Sequence, residues 1–155
     1  MSVPSIGKKV PDFTLPATGG ETVRLAALRG APVVLYFYPK DDTPGCTLEG
    51  QDFRDQARAF RALHATVLGV SRDTLASHEK FKAKYELPFA LLSDSEEELC
   101  QLFGVIKDKN MYGRKVRGIE RSTFLIDADG VLRREWRGVK VKGHVAEVLE
   151  SLRQL

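Results

Sequence analysis

Tyr36-Phe37-Tyr38-Pro39-Lys40-Asp41-Asp42-Thr43-Pro44-Gly45-Cys46 is the stretch on which the reading of the chain turns. The apolar run leading through it, Val33 to Tyr38, reads as a buried strand, and Pro39 ends that strand because proline has no amide hydrogen for the ladder. Asp41, Asp42, Thr43 and Pro44 then form a helix-start signal, with Thr43 as N-cap, Pro44 at the first helical position and Cys46 at the third. A thiol is thereby placed in the first turn of a helix just past a strand end. Unpaired amides and the helix dipole favour the thiolate there, and the thiolate is the nucleophilic form. For a cysteine at an arbitrary position, an inert buried thiol is the better reading.

Upstream, Phe13-Thr14-Leu15 and Thr22-Val23-Arg24 alternate around Thr18-Gly19-Gly20, which predicts a small hairpin covering an edge of the main sheet. Downstream, the helix from Thr43 carries Phe53, Ala57, Phe60 and Leu63 at helical spacing, with Arg54, Asp55, Arg58 and Arg61 on the other side. Val67 to Val70 reads as a second buried strand, Leu75 to Tyr85 as a second helix, and Phe89 to Leu92 as a short strand. Ser95 and Glu98 form a capping box for a helix from Glu96 to Phe103, which contains Cys100. Lys107 to Gly118 is polar and reads as a long loop. Thr123 to Ile126 and Val131 to Trp136 are strands joined by the turn Asp127-Ala128-Asp129-Gly130, and a last helix runs from about His144 to Leu152. The order predicts an α/β fold, a mixed central sheet flanked by helices with an N-terminal β-hairpin, a pattern that fits a thioredoxin-like fold.

The length of 155 residues suits one domain spanning 1–155, with no internal repeat or linker. The formal charge of +3, with acids and bases interspersed, does not resemble the strong single-face excess of a nucleic-acid binder, so no nucleic-acid partner is expected. Met1-Ser2-Val3-Pro4 lacks a basic region followed by an apolar stretch, and nothing later approaches the roughly 18 apolar residues of a membrane span, so a soluble, cytoplasmic protein is expected. Two cysteines in such a chain are expected to be reduced and chemical rather than structural. His64, His78 and His144 show no ligand spacing, so no metal site is expected. Lys107, Lys109, Arg114, Lys115 and Arg117 form a basic run diluted by Asp108, read as a solvated loop, with docking of an acidic reductant as the minor alternative.

Pro39, Thr43 and Cys46 at this spacing resemble the peroxidatic motif of peroxiredoxins, and their surroundings look like the bacterioferritin comigratory protein (PrxQ) branch. Pro11-Asp12-Phe13, Leu92-Ser93-Asp94, Phe103-Gly104-Val105 and Arg121-Ser122-Thr123-Phe124-Leu125-Ile126-Asp127 are similar to that branch in order, so the resemblance covers nearly the whole chain. It implies a thioredoxin-like fold and a thiol-dependent peroxidase without metal, haem or flavin. In that reading Cys46 attacks hydrogen peroxide or an alkyl hydroperoxide and becomes a sulfenic acid. A thiol such as thioredoxin, glutaredoxin or glutathione then restores it.

The resemblance also implies residue roles. The Thr43 hydroxyl would touch sulfur and peroxide, Pro39 would shield the thiolate from water, and Arg121 would hold the thiolate and polarise peroxide. Glu49 matches a glutamate common in the branch and is a secondary candidate. Read from residue types alone, Thr43 is a plain N-cap, Arg121 a solvated or salt-bridged strand-end cation, and Glu49 a favourable carboxylate near a helix start. Full ionisation of a free cysteine gains only roughly thirtyfold at pH 7, so rapid peroxide cleavage also needs donors aimed at the two oxygens.

The branch's usual positions for a second, resolving cysteine hold Gln51 and Lys82 here. Cys100, beside Leu99 and three residues before Phe103, reads as a small packed core residue, with a resolving role as the alternative. A one-cysteine cycle resolved by an external thiol is therefore expected, in a monomer or weak dimer. The rivals are a disulfide oxidoreductase, which needs a partner cysteine three residues on, where Glu49 stands, and a non-catalytic holdase on the same fold.

Overall fold

The computed structural model describes residues 3–155, so the reading of Met1 and Ser2 lies outside the described residues. The strands are β1 (Thr14–Ala17), β2 (Glu21–Arg24), β3 (Val33–Phe37), β4 (Thr66–Ser71), β5 (Ala90–Ser93), β6 (Ile106–Met111), β7 (Arg114–Ile119), β8 (Ser122–Ile126) and β9 (Leu132–Arg137). The helices are α1 (Pro44–Asp55), α2 (Ala57–Ala62), α3 (Leu75–Tyr85), α4 (Glu98–Leu102) and α5 (His144–Arg153). Seven strands form one sheet in the order β2-β1-β5-β4-β3-β8-β9. β3, β4 and β5 run parallel, while β8 and then β9 add antiparallel on the other side of β3.

Every residue of β3 is buried, as its unbroken apolar run requires of a central strand covered on both faces. Because alternate residues point to opposite faces, the strand divides the core in two. Val33, Leu35 and Phe37 pack with Phe124, Leu99, Cys100 and Phe103 on one face. Val34, Tyr36 and Tyr38 pack with Cys46, Phe53, Phe60, Phe81 and Val148 on the other. The α1, α2, α3 and α5 side chains cover the second face, and α4 covers the first.

Three expectations change. The helix expected from Thr43 through Leu63 is two, because Gln56 leaves the helical region at φ −103°, ψ 12°. No proline or glycine marks that break, so periodicity could not show it. The N-terminal hairpin covers the β5 edge by joining the sheet itself, through the single pair Ala17 with Leu92, so that β2 becomes the new edge. α4 does not use the Ser95 and Glu98 box; the Asp94 carboxylate accepts from the amides of Leu99 at 3.1 Å and Cys100 at 2.7 Å.

The third change is the largest. The segment read as a loop, Lys107 to Gly118, is a two-stranded antiparallel ribbon separate from the main sheet. Tyr112 at φ 53° and Gly113 at φ 78° supply the two positive angles of a tight hairpin turn. From Lys107 to Asn110 and from Arg114 to Arg117 the strands are exposed, so they carry no apolar alternation for a period of two to reveal.

Candidate active site

The chain leaves β3 through the Tyr38 amide, which still donates to the Val70 carbonyl at 3.1 Å, and Pro39 then stops the ladder. Thr43 is the N-cap residue and Pro44 follows at the start of α1, as expected, but the Thr43 hydroxyl does not cap the helix. It donates instead to the Lys40 carbonyl at 2.8 Å, which tightens the loop and leaves the first α1 amides without a side-chain acceptor.

Cys46 sits in that first turn, 2% exposed. Arg121, in the residue before β8, reaches across to it. One guanidinium nitrogen donates to the Cys46 Sγ at 3.5 Å and the other to Glu49 Oε1 at 2.7 Å. Gly45 leaves room for this approach: a Cβ there would lie 3.0 Å from Arg121 Nη2, close enough to press the guanidinium aside. Glu49 is fully buried and its Oε2 has no partner. Burial lifts its carboxyl to about 7, outweighing the pairing with Arg121.

The structure thus brings Cys46, Arg121 and Glu49 together across 75 and 72 positions of sequence. Pro39 and Thr43 lie half-buried on the loop that leads into them. Cys100 is not part of this group. It belongs to the core on the opposite face of the sheet, fully buried, where burial first and the Asp94 carboxylate second push its thiol well up. Gln51 is half-buried in α1, while Lys82 donates to the carbonyls of Leu87 at 2.7 Å and Phe89 at 2.9 Å, tying the end of α3 to the approach of β5.

Residue patterns missed a buried polar cluster that anchors the loop. The Asp41 carboxylate accepts from the Tyr38 hydroxyl at 2.6 Å and from Ser77 Oγ at 2.8 Å, and lies 2.7 Å from His78 Nδ1. His78 Nε2 faces the Leu92 carbonyl at 2.9 Å, and the Asp41 amide donates to Asp73 Oδ2 at 3.0 Å. A buried carboxylate needs such donors, but besides Tyr38, just past β3, they come from α3, 36 and 37 positions away, and no short-range spacing announces them. Among the described residues, Asp41, Asp73 and His78 are the group whose ligand atoms could meet at a metal, all within 4.8 Å of one another. Those atoms already bond one another or their neighbours. His144, whose Nε2 is 2.7 Å from Thr123 Oγ1, is lowered by burial to about 4 and stands neutral behind Arg121.

A helix-start thiol under a guanidinium, at the end of a central parallel strand in a thioredoxin-like sheet, defines a thiol peroxidase. The chain belongs to the AhpC/TSA family, whose model matches residues 6–135, and within it to the bacterioferritin comigratory protein (PrxQ) branch of peroxiredoxins. It is 53% identical over 150 residues to peroxiredoxin Bcp of Bacillus subtilis, covering 97% of this chain and 96% of that protein. It is 52% identical over 147 residues to the putative peroxiredoxin bcp of Coxiella burnetii, covering 95% and 97%. Among solved structures, a cysteine-to-serine variant of Xylella fastidiosa PrxQ matches with TM-score 0.93 at 44% identity, covering 99% of this chain and 98% of that one. The Xanthomonas campestris bacterioferritin comigratory protein matches with TM-score 0.88 at 49% identity, covering 92% and 90%, and its structure concerns alkyl peroxide reduction activity.

Proposed function

We propose that residues 1–155 act as one domain that reduces hydrogen peroxide and alkyl hydroperoxides through Cys46 in a one-cysteine cycle. The observation that carries the reading is the Arg121 guanidinium spanning Cys46 and Glu49 at the uncapped start of α1. The Cys46 thiolate attacks one peroxide oxygen, the sulfur–oxygen bond forms as the oxygen–oxygen bond breaks, and the leaving alkoxide or hydroxide takes a proton. Arg121 and the free α1 amides donate to charge on sulfur and oxygen as it develops. Thr43 and Pro39 bound the pocket, and Glu49 holds the Arg121 fork in register. Leu48, exposed two residues beyond Cys46, gives the mouth an apolar margin suited to an alkyl chain.

An external thiol attacks the Cys46 sulfenic acid, displacing water, and a second thiol releases the thiolate. Thioredoxin, glutaredoxin or glutathione would serve. Cys100 stays out of the cycle because the sheet lies between the two sulfurs. The working form is a cytoplasmic monomer or weak dimer; among the described residues no helix is long and apolar enough to cross a membrane. Intact mass after one equivalent of peroxide tests the cycle. A gain of one oxygen is expected, whereas a loss of two hydrogens would make Cys100 a resolving cysteine, and a doubled mass would require a second chain.

A further inference from the structure

The β6–β7 ribbon carries five bases against the single acid Asp108 between Lys107 and Gly118, an excess of four on a chain whose total is +3. The body of the protein is therefore close to neutral, and its positive charge is concentrated on this arm. The two faces of the arm differ. Asp108 stands opposite Arg117, Arg117 pairs with Glu97 of the body, and Ile106 stands opposite the buried Ile119, so that face is tied to the body at its base, while Asn110 and Lys115 nearer the turn are exposed. On the other face Lys107 and Lys109 lie across from Gly118 and Val116, with Arg114 one pair further toward the turn. Among the described residues Lys107, Lys109 and Arg114 have no ion-pair partner, and Val116 in their midst is 42% exposed.

An exposed apolar centre ringed by unpaired cations has the composition of a protein-docking patch for an acidic surface. The base of the arm leads directly into the segment that carries Arg121. β7 ends at Ile119, two residues before Arg121, and the Glu120 amide closes the base of the arm on the Val105 carbonyl at 2.7 Å. We propose that this face docks an acidic dithiol protein, the reductant that returns oxidised Cys46 to its thiolate. The proposal rests on the peroxidase reading above. One thiolate of the docked protein attacks the Cys46 sulfur, forming a sulfur–sulfur bond as the sulfenic oxygen leaves as water. Its second thiol then attacks the mixed disulfide, so the partner departs oxidised and Cys46 is reduced.

The test compares wild type with the triple variant Lys107→Ser, Lys109→Ser, Arg114→Ser, and with a control lacking two bases of α2, Arg58→Gln, Arg61→Gln. Peroxide turnover is driven either by bacterial thioredoxin or by dithiothreitol, across a salt series. The triple variant should lose roughly tenfold in kcat/KM for thioredoxin at low salt and most of its salt dependence, because the steering charges are gone. Its turnover with dithiothreitol and its melting temperature should match wild type, and the α2 control should match throughout. Equal thioredoxin kinetics in wild type and triple variant, alongside normal dithiothreitol turnover, overturn the docking alone. So does a loss confined to retention on DNA or on phosphatidylglycerol vesicles, which would give the arm to a polyanion. Wild type that fails with dithiothreitol overturns the peroxidase reading itself, and the docking with it.

Discussion

Cys46 and Cys100 each occupy the third position of a helix, α1 and α4, and each is buried. A helix start is said to favour a thiolate, yet the two surroundings are opposite. At α4 the Asp94 carboxylate consumes the Leu99 and Cys100 amides and places negative charge beside the thiol. At α1 the capping hydroxyl turns away to the Lys40 carbonyl, and a guanidinium faces the sulfur. In the proposed cycle the helix start supplies only the opportunity; the nearest fixed charge and the state of the cap separate the nucleophile from the core residue.

Substitutions can break this contrast. The largest effect belongs to Cys46→Ser, which should reduce peroxide turnover to the buffer rate with folding intact, because a serine hydroxyl is scarcely ionised at neutral pH. Stopped-flow peroxide consumption checks it, and residual turnover would move the chemistry elsewhere. Arg121→Lys keeps the charge but loses the planar fork that serves Cys46 and Glu49 together. Its rate should fall by on the order of ten- to a hundredfold, with little change in melting temperature. Wild-type kinetics would make Arg121 scaffolding.

Asp94→Ala attacks the other side of the comparison. It strands two buried amides, so denaturant unfolding should show a loss of about 1–3 kcal/mol, while thiol-driven turnover of the folded enzyme stays near wild type.

The remaining effects are pH-dependent and have opposite signs. Glu49 is raised to about 7 from 4.5, so it contributes stability that is present below about pH 4.5 and lost as pH rises through 7. His144 is lowered to about 4 from 6.5, so its contribution is present above pH 6.5 and lost as pH falls toward 4. The two oppose each other between pH 4.5 and 6.5, which hides both in the wild type. Relative to wild type, Glu49→Gln should gain stability from pH 4.5 to 7, by up to about 3 kcal/mol, and His144→Gln should gain on acidification from pH 6.5 to 4. Chemical denaturation at stepped pH measures both, and parallel curves would remove these groups from the account.

The local half of the site was legible because its signals are local: a proline-ended strand, an N-cap and a first-turn cysteine occupy consecutive positions. α3 forms over the expected residues Leu75 to Tyr85, and its start is likewise fixed locally, by the Thr74 hydroxyl accepting from the Ser77 amide. Glu49 reads from sequence as a favourable carboxylate near a helix start because its burial and its Arg121 partner depend on the entry to β8, 72 positions away. Asp94 gives no sequence signal as a cap because it acts from four residues before α4, outside the window of a capping box. The β6–β7 arm has the sequence of a loop because, over most of its length, neither strand buries a face.

The contrast between the two thiols is tested most directly by site-resolved trapping. Wild-type protein is treated with one equivalent of peroxide in the presence of dimedone, which captures sulfenic acids, and its peptides are mapped by mass. The adduct is predicted at Cys46 alone, with Cys100 recovered as an unmodified thiol. An adduct at Cys100, or a peptide pair joined through Cys46 and Cys100, would contradict it.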